Sequence, residues 1–196
     1  MDSGRLSSLR WNHLGPLIMR CGLGILALAV VGCAPISSTD NGSRTPGTVI
    51  DDVAISNLAT RQLRRSQETS VNTNINVLSH NGHVLLTGQV PDAASKTSAQ
   101  EIVSGLAQVQ MVHNELVVGP PTGLSTRSRD AWVTSKVKTR LLSERGVPGD
   151  RIKVTTEDGA VYLVGIVPRE EADRAVDVTG TVQGVRKIVK VFQYLD

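Results

Sequence analysis

The chain contains an internal repeat, and this repeat limits the possible fold more than any other feature. The segment 80–91 (HNGHVLLTGQVP) recurs as 157–168 (EDGAVYLVGIVP) at a constant offset of 77. Flanking blocks recur at an offset of 79 upstream and 76 downstream, so the length changes fall between the blocks, where loops are expected. Self-similarity of this kind indicates one supersecondary unit used twice. We predict two similar modules at 49–118 and 127–196, joined by a linker at 119–126.

Each repeat has the hydrophobic pattern of two helices and three strands in the order α-β-β-α-β. The opening helix is predicted at 51–65 and again at 130–145, where Val133, Val137 and Leu141 recur every four residues and form one apolar stripe. The predicted fold class is therefore α+β, with two tandem modules that each pack a small mixed sheet on two helices.

A tight hairpin turn is predicted in the middle of each module. Asn81-Gly82 and Asp158-Gly159 each separate two strand patterns, and such dipeptides favour a two-residue turn because both positions accept a positive φ. The strand after each turn ends at a proline, and a second helix is expected to follow. Closing strands are predicted at 112–118 and 188–195.

The start of the chain has the pattern of a bacterial secretory signal. Arg5, Arg10 and Arg20 precede an apolar run at 21–31. The run is too short to cross a bilayer, because a spanning helix needs about 20 apolar residues. It ends in VVGC at Cys33, and these residues resemble the lipobox, whose cysteine is joined to diacylglycerol and acylated after cleavage.

The lipobox resemblance implies a signal peptide at 1–32 and a lipoprotein acylated at Cys33, for example with palmitate. The alternatives are an ordinary secretory signal or a buried thiol. Ala34 rather than Asp follows the cysteine, which by resemblance to proteobacterial sorting favours the periplasmic face of the outer membrane. Residues 33–48 are rich in Ser, Thr, Gly and Pro, and we predict a flexible tether with a reach of about 20 Å.

Three segments of the repeats carry a family pattern: 74–77 (NINV), 82–89 (GHVLLTGQ) and 132–137 (WVTSKV). With these segments the two modules resemble the BON domain. Two BON domains behind a lipobox are similar to the DolP family, the division- and outer-membrane-stress-associated lipid-binding lipoproteins. The resemblance implies that the second module binds anionic phospholipid of the phosphatidylglycerol type. It also implies roles in envelope integrity and division-site localisation, and contact with the outer-membrane protein assembly machinery.

Composition excludes several other classes of function. Residues 1–32 carry three arginines and one aspartate, so the remaining chain has a net charge of +1 instead of +3. This charge is too balanced for a polybasic nucleic-acid binder, and 3% aromatic residues provide no stacking platform for single strands. We therefore expect no nucleic-acid partner. An apolar content of 40% is too high for a disordered chain.

No group of residues has the pattern of a catalytic or metal site. His80 and His83 flank the first turn and could in principle share a metal, but their counterparts are Glu157 and Ala160 and no third ligand is near in sequence. We interpret both histidines as solvated turn residues. An acidic pair at 170–171 opens a helix, where carboxylates interact favourably with the helix dipole. We expect neither enzymatic activity nor a metal or cofactor.

The candidate binding surface lies on the opening helix of the second module. Residues 127–145 carry six basic and two acidic side chains, a local net charge of +4. The corresponding helix of the first module is expected to place Val53 where the second has Trp132. The predicted lipid-binding residues are Trp132, Val133, Ser135, Lys136, Thr139 and Arg140.

A tryptophan beside cations suits a membrane surface. The indole favours headgroup depth, and each Lys or Arg near an anionic leaflet contributes about 1 kcal/mol. The alternative is that Trp132 packs between the modules and the cations form a solvated face. Periodicity alone favours neither interpretation, and the family resemblance favours lipid. The rival function for the whole protein is a periplasmic chaperone or protein-interaction adaptor that acts through its BON modules.

Overall fold

Two copies of one α-β-β-α-β unit make up the part of the chain that the structure describes. The computed structural model describes residues 45–195, so the predicted signal, Cys33 and most of the predicted tether lie outside it. The first module contains α1 (Pro46–Arg65), α2 (Gln67–Ser70), β1 (Asn74–His80), β2 (His83–Val90), α3 (Ala93–Ser104) and β3 (Met111–Val118). The second contains α4 (Leu124–Ser143), β4 (Ile152–Glu157), β5 (Ala160–Pro168), α5 (Arg169–Gly180) and β6 (Lys187–Leu195).

These elements confirm the α+β class and the order of elements in both repeats, with differences at the boundaries. The short helix α2 was not predicted, because one turn is too short to show periodicity. α1 begins within the predicted tether, where the Thr45 hydroxyl accepts a hydrogen bond from the Thr48 amide at 3.3 Å and Pro46 occupies the first turn. α4 begins at Leu124, so only residues 119–123 connect the modules.

Each sheet has three strands with its second strand at the centre. β2 pairs antiparallel with β1 and parallel with β3, and β5 has the same relation to β4 and β6. On the helix-facing side of β2, Val84, Leu86 and Val90 are fully buried in one core with residues of α1 and α3. The second module repeats this core with Val161, Leu163 and Val167.

The other faces of the two sheets pack against each other. Leu85 of the first module joins Tyr162, Val164 and Val191 of the second in one buried apolar cluster. Both faces of β2 are therefore covered, and every residue from Val84 to Val90 is buried. Burial, together with the charges of Glu115 and Glu157, raises the pKa of Tyr162 to about 12.

A buried carboxylate closes one side of this junction between the modules. Glu157 is 9% exposed and accepts hydrogen bonds from three amide groups of the first module: Gln89 Nε2 at 2.7 Å, Asn76 Nδ2 at 3.1 Å and Asn74 Nδ2 at 3.2 Å. The Thr122 hydroxyl in the connecting segment adds a fourth bond at 3.3 Å. Four donors from outside the second module therefore converge on one acid.

An aspartate of the opening helix holds each hairpin turn. Asp130 accepts hydrogen bonds from the amides of Asp158 at 2.7 Å and Gly159 at 2.9 Å. Asp52 does the same for Asn81 at 2.8 Å and Gly82 at 3.1 Å. All four turn residues have positive φ, between 44° and 73°, as the dipeptides predicted.

These aspartates correct the alignment of the two opening helices. Asp52 corresponds to Asp130 at an offset of 78, and the buried residues of α1 and α4 follow the same offset. The residue at the position of Trp132 is therefore Ala54, and the prediction of Val53 was wrong by one residue. An acid lies opposite Asp130 at either offset in the sequence, so burial of Asp52 and of the apolar residues distinguishes the two alignments.

Candidate functional site

The candidate site occupies the exposed side of α4. Val133, Val137 and Leu141 are fully buried and hold the helix on its own sheet. With 100° between successive residues, the other positions three, four and seven residues apart share an exposed strip. Along this strip lie Trp132, Ser135, Lys136, Thr139, Arg140 and Ser143.

The strip forms one wall of an open groove of about 620 Å³, which we call the α4 groove. The opposite wall comes from the loop between α5 and β6, through Thr181, Val182 and Gln183. Five of the six predicted residues line this groove together. Thus the structure gathers the predicted aromatic ring, cations and hydroxyl groups around one concave surface.

Val133 does not belong to this surface. Its side chain has no exposed area and packs in the core of the second module. It lies one residue after Trp132, so a 100° rotation of the helix carries it from the groove to the sheet. Its prediction as a lipid-binding residue was therefore wrong, and it contributes to the core instead.

Trp132 and Lys136 form a pair at one end of the α4 groove. The Lys136 Nζ lies 3.9 Å from the centroid of the indole, within the range of a cation–π contact. The indole remains 47% exposed and takes no part in the cluster between the sheets. The structure therefore does not support the interpretation in which Trp132 packs between the modules.

The cations of the α4 groove are not paired with any acid among residues 45–195. Across residues 45–195, no carboxylate forms an ion pair with Lys136 or Arg140. Asp130, one of the two acids in the local charge count, is buried and bonded to the turn amides instead. The positive charge at the groove is therefore available to a ligand.

A glycine allows the α5–β6 loop to approach α4. Gly184 has a φ of +101°, and a Cβ there would lie 2.8 Å from Val133 Cγ2 and 3.9 Å from Trp132 Cζ3. In the first module Gln108 takes the same left-handed position with a φ of 69°. Helical periodicity could not predict that the α5–β6 loop lines the groove, because this depends on tertiary contact. Gly184 was the signal in the sequence for this approach of the loop.

Within the described part of the chain, the two histidines at the first turn lie in environments that do not form a metal site. His80 is 2% exposed, so its prediction as a solvated turn residue was wrong; it shares a strand face with Leu78, which the second module covers. The His83 ring lies 5.7 Å from that of His113, and burial, followed by the charge of His113, lowers the pKa of His83. Within residues 45–195, no three His, Cys, Asp or Glu side chains are placed to hold a metal ion.

The acids at the start of α5 form ion pairs with arginines. Glu171 lies 3.0 Å from Arg151, and Glu170 lies 3.4 Å from Arg174 one turn further along the helix. These contacts, together with the helix dipole, account for both carboxylates.

Comparison with known proteins identifies the repeated unit. The family model described as the BON domain matches residues 51–120 and 129–196. The chain belongs to the dual-BON DolP family. It is 34% identical over 173 residues to the outer membrane lipoprotein DolP of Haemophilus influenzae, an alignment that covers 88% of this chain and 90% of that protein.

Two other relatives align over most of their length. The 21 kDa hemolysin of Actinobacillus pleuropneumoniae is 34% identical, with 78% of each chain covered. The osmotically-inducible protein Y of Escherichia coli is 30% identical, with 76% of this chain and 75% of that protein covered. Membership of the DolP family makes this chain an envelope-associated lipoprotein and supports localisation to the outer membrane. Across residues 45–195, the helices are too short or too polar to span a membrane.

Proposed function

We propose that this DolP-family protein is anchored at the periplasmic face of the outer membrane through acylated Cys33 and binds anionic phospholipid through the α4 groove of its second module. The observation that carries the proposal is the arrangement in the groove. An exposed indole, a lysine above its ring and an arginine that pairs with no acid of residues 45–195 occupy one surface of one helix. The ligand class that satisfies all three is an anionic headgroup at an apolar boundary.

The energetics of each group favour a membrane interface over bulk water. An indole is amphipathic and is enriched at headgroup depth. Each cation near an anionic leaflet contributes about 1 kcal/mol, so Lys136 and Arg140 together supply a weak, salt-sensitive attraction. The groove alone would thus bind a membrane reversibly.

The proposed anchor raises the effective concentration of the groove at the membrane. Twelve residues, 34–45, separate Cys33 from the first residue of α1. A flexible segment of this length has a root-mean-square reach of about 20 Å, comparable to the size of one module. Anchor and groove would then act as two linked weak sites on one surface.

The proposed activity is binding and not catalysis. The α4 groove combines hydroxyl groups, cations and a ring, and a nucleophile held by a base is not among its lining residues. Through the same binding, the protein would contribute to envelope integrity and to localisation at division sites. The first module would support the second and supply a surface for protein contacts.

Vesicle co-sedimentation of the lipid-free chain 34–196 tests the proposal. Both cores lie within residues 45–195, so this form keeps every core residue. We expect binding to vesicles that contain phosphatidylglycerol and none to phosphatidylcholine vesicles. Trp132→Glu should abolish the binding, because it places a negative charge at the interface.

Lys138→Gln is the matched control, because Lys138 is an exposed cation of the same helix outside the groove. It should bind nearly as well as the unchanged chain, while Arg140→Gln should bind about fivefold more weakly. Equal losses in both variants would contradict a localised site. Failure of the unchanged chain to bind anionic vesicles at low salt would remove the lipid proposal altogether.

A second candidate function, a protein-interaction adaptor, is favoured by exposed aliphatic residues of the first module. Ile50 and Val53 on α1 are 68% and 56% exposed, and Val117 and Val118 on the edge strand β3 are 59% and 51% exposed. A photo-cross-linking residue at position 50 should then capture protein, whereas one at position 132 should capture lipid. Protein adducts at both positions would favour the adaptor as the main function.

A further inference from the structure

A second pocket, which we call the junction pocket, lies where the first module meets the beginning of α4. It has a volume of about 340 Å³ and is lined by polar side chains of α1, α2, β1 and the segments between them, together with Arg127 of α4. Arg64 near the end of α1 also lines it. Neither module alone contains both arginines, so the two side chains line one pocket only when the modules are paired.

The two guanidinium groups of the junction pocket are not paired with any acid of the described part of the chain. Across residues 45–195, no carboxylate forms an ion pair with Arg64 or Arg127. Arg127 Nε donates to the Thr122 carbonyl oxygen at 3.1 Å, and this bond orients the guanidinium while its terminal nitrogens keep their donors. Two guanidinium groups at one pocket attract an oxyanion, because each can donate charge-assisted hydrogen bonds.

Other groups of the pocket can complete the coordination of an anion. Ser70 lines the pocket, and its hydroxyl is a hydrogen-bond donor. Asn76 Nδ2 uses one hydrogen in its bond to Glu157 and retains a second. Glu157 is itself bonded to four donors and does not line the pocket, so its charge is partly compensated.

We propose that the junction pocket binds a phosphate group between Arg64 and Arg127. The site differs from the α4 groove, because Arg127 precedes Trp132 by five residues and points about 140° away around the helix. The phosphate can belong to a soluble compound or to a lipid headgroup. Because each module supplies one arginine, binding also strengthens the junction between the modules.

Titration of the chain 34–196 with inorganic phosphate, followed by NMR, tests this site. We expect saturable shifts of the Ser70 and Asn76 amides and of Arg127 Nε–H, without matching shifts of the Trp132 indole. Arg64→Gln or Arg127→Gln should weaken phosphate binding at least about tenfold, because each removes charge-assisted hydrogen bonds. The melting temperature should rise with phosphate in the unchanged chain and less in either variant.

Two neighbouring arginines provide matched controls. Arg61 and Arg129 are exposed, lie within three residues of the site arginines and do not line the pocket. Their replacement by Gln should weaken phosphate binding less than about twofold, because salt screens charges outside the site. Equal losses in the control and site variants, or shifts spread over the whole surface, would overturn the proposal.

Vesicle binding distinguishes the two sources of phosphate. If Arg64→Gln loses phosphate binding but retains binding to phosphatidylglycerol vesicles, the pocket binds a soluble phosphate compound. If it loses both to the same extent, the phosphate belongs to a lipid headgroup. Loss of phosphate binding in Arg64→Gln supports the site in both cases. Retained vesicle binding additionally requires another surface such as the α4 groove, which Trp132→Glu tests separately.

Discussion

The two modules bury residues at equivalent positions and differ in the exposed side of their opening helices. Asp52 and Asp130 hold the hairpin turns in the same way, and small or branched apolar residues fill both cores. At the exposed positions, Trp132, Lys136 and Arg140 of α4 replace Ala54, Leu58 and Gln62 of α1. The comparison indicates that the fold depends on the buried residues, whereas the exposed residues of the opening helix are available for function.

The distribution of aromatic rings follows the same division. After Trp11, which precedes Cys33, the remaining four rings all lie in the second module: Trp132, Tyr162, Phe192 and Tyr194. Tyr162 is buried between the sheets, so it serves the contact between modules. Phe192 and Tyr194 pack against the core of their own module. Trp132 is the ring whose position the core does not explain.

The largest expected effect tests the shared part of the two modules. Asp52→Ala and Asp130→Ala each leave two turn amides without their charged acceptor, and each should lower the free energy of unfolding by about 3 kcal/mol or more. Urea unfolding of the chain 34–196 measures both values. If one variant loses less than about 1 kcal/mol of its free energy of unfolding, the two aspartates do not stabilise their turns equally.

A smaller effect is expected at the junction between the modules. Glu157→Gln turns one acceptor oxygen into a donor that faces other donors, so we expect a loss of about 2 kcal/mol and faster proteolysis within residues 119–123. Glu144→Gln is the control, because Glu144 is exposed. If the two variants unfold and are cleaved alike, the buried network does not hold the modules together.

Local patterns predicted most of the fold, because helices, strands and turns depend on neighbouring residues. The Asn81-Gly82 and Asp158-Gly159 turns are the clearest examples. The packing of sheet on sheet was not predicted, because it joins residues far apart in the sequence. Its signals were the unbroken apolar runs 84–86 and 161–164, which are typical of strands covered on both faces.

The candidate site was predictable only in part, for the same reason. Helical spacing found one wall of the α4 groove, which is a property of α4 alone. The second wall, at 181–183, requires the α5–β6 loop to approach α4 and has no periodic pattern. Val133 was included wrongly because adjacency in sequence places residues on different faces of a helix.

Exchanging equivalent residues between the modules should change the free energy of vesicle binding by about 1 kcal/mol. Lys136→Leu gives α4 the residue of α1 and should weaken vesicle binding about fivefold. Leu58→Lys gives α1 the cation and should leave binding unchanged, because the ring beside it is absent. Co-sedimentation of both variants measures this difference. A gain in Leu58→Lys equal to the loss in Lys136→Leu would indicate general attraction of charge instead of a site.

The smallest expected effect concerns pH and is confined to the first module. The pKa of His83 is below its ordinary value of 6.5, so the unfolded chain takes up a proton before the folded protein does as the pH falls. Stability should therefore decrease below about pH 6.5, and His83→Gln should reduce this decrease slightly, because the ring is only partly buried. Urea unfolding at about pH 7.5 and about pH 5.5 measures the difference. An equal decrease in the free energy of unfolding in the variant would contradict the assignment to His83.

The fluorescence of Trp132 tests the central claim most directly. Trp132 is the one tryptophan of the chain 34–196, so its emission reports on the α4 groove without any label. On addition of phosphatidylglycerol vesicles, we predict a shift of the emission to shorter wavelength and quenching by lipids brominated near the headgroup. Phosphatidylcholine vesicles should cause neither change. If the protein co-sediments with anionic vesicles while the emission stays unchanged, the membrane is bound by another surface.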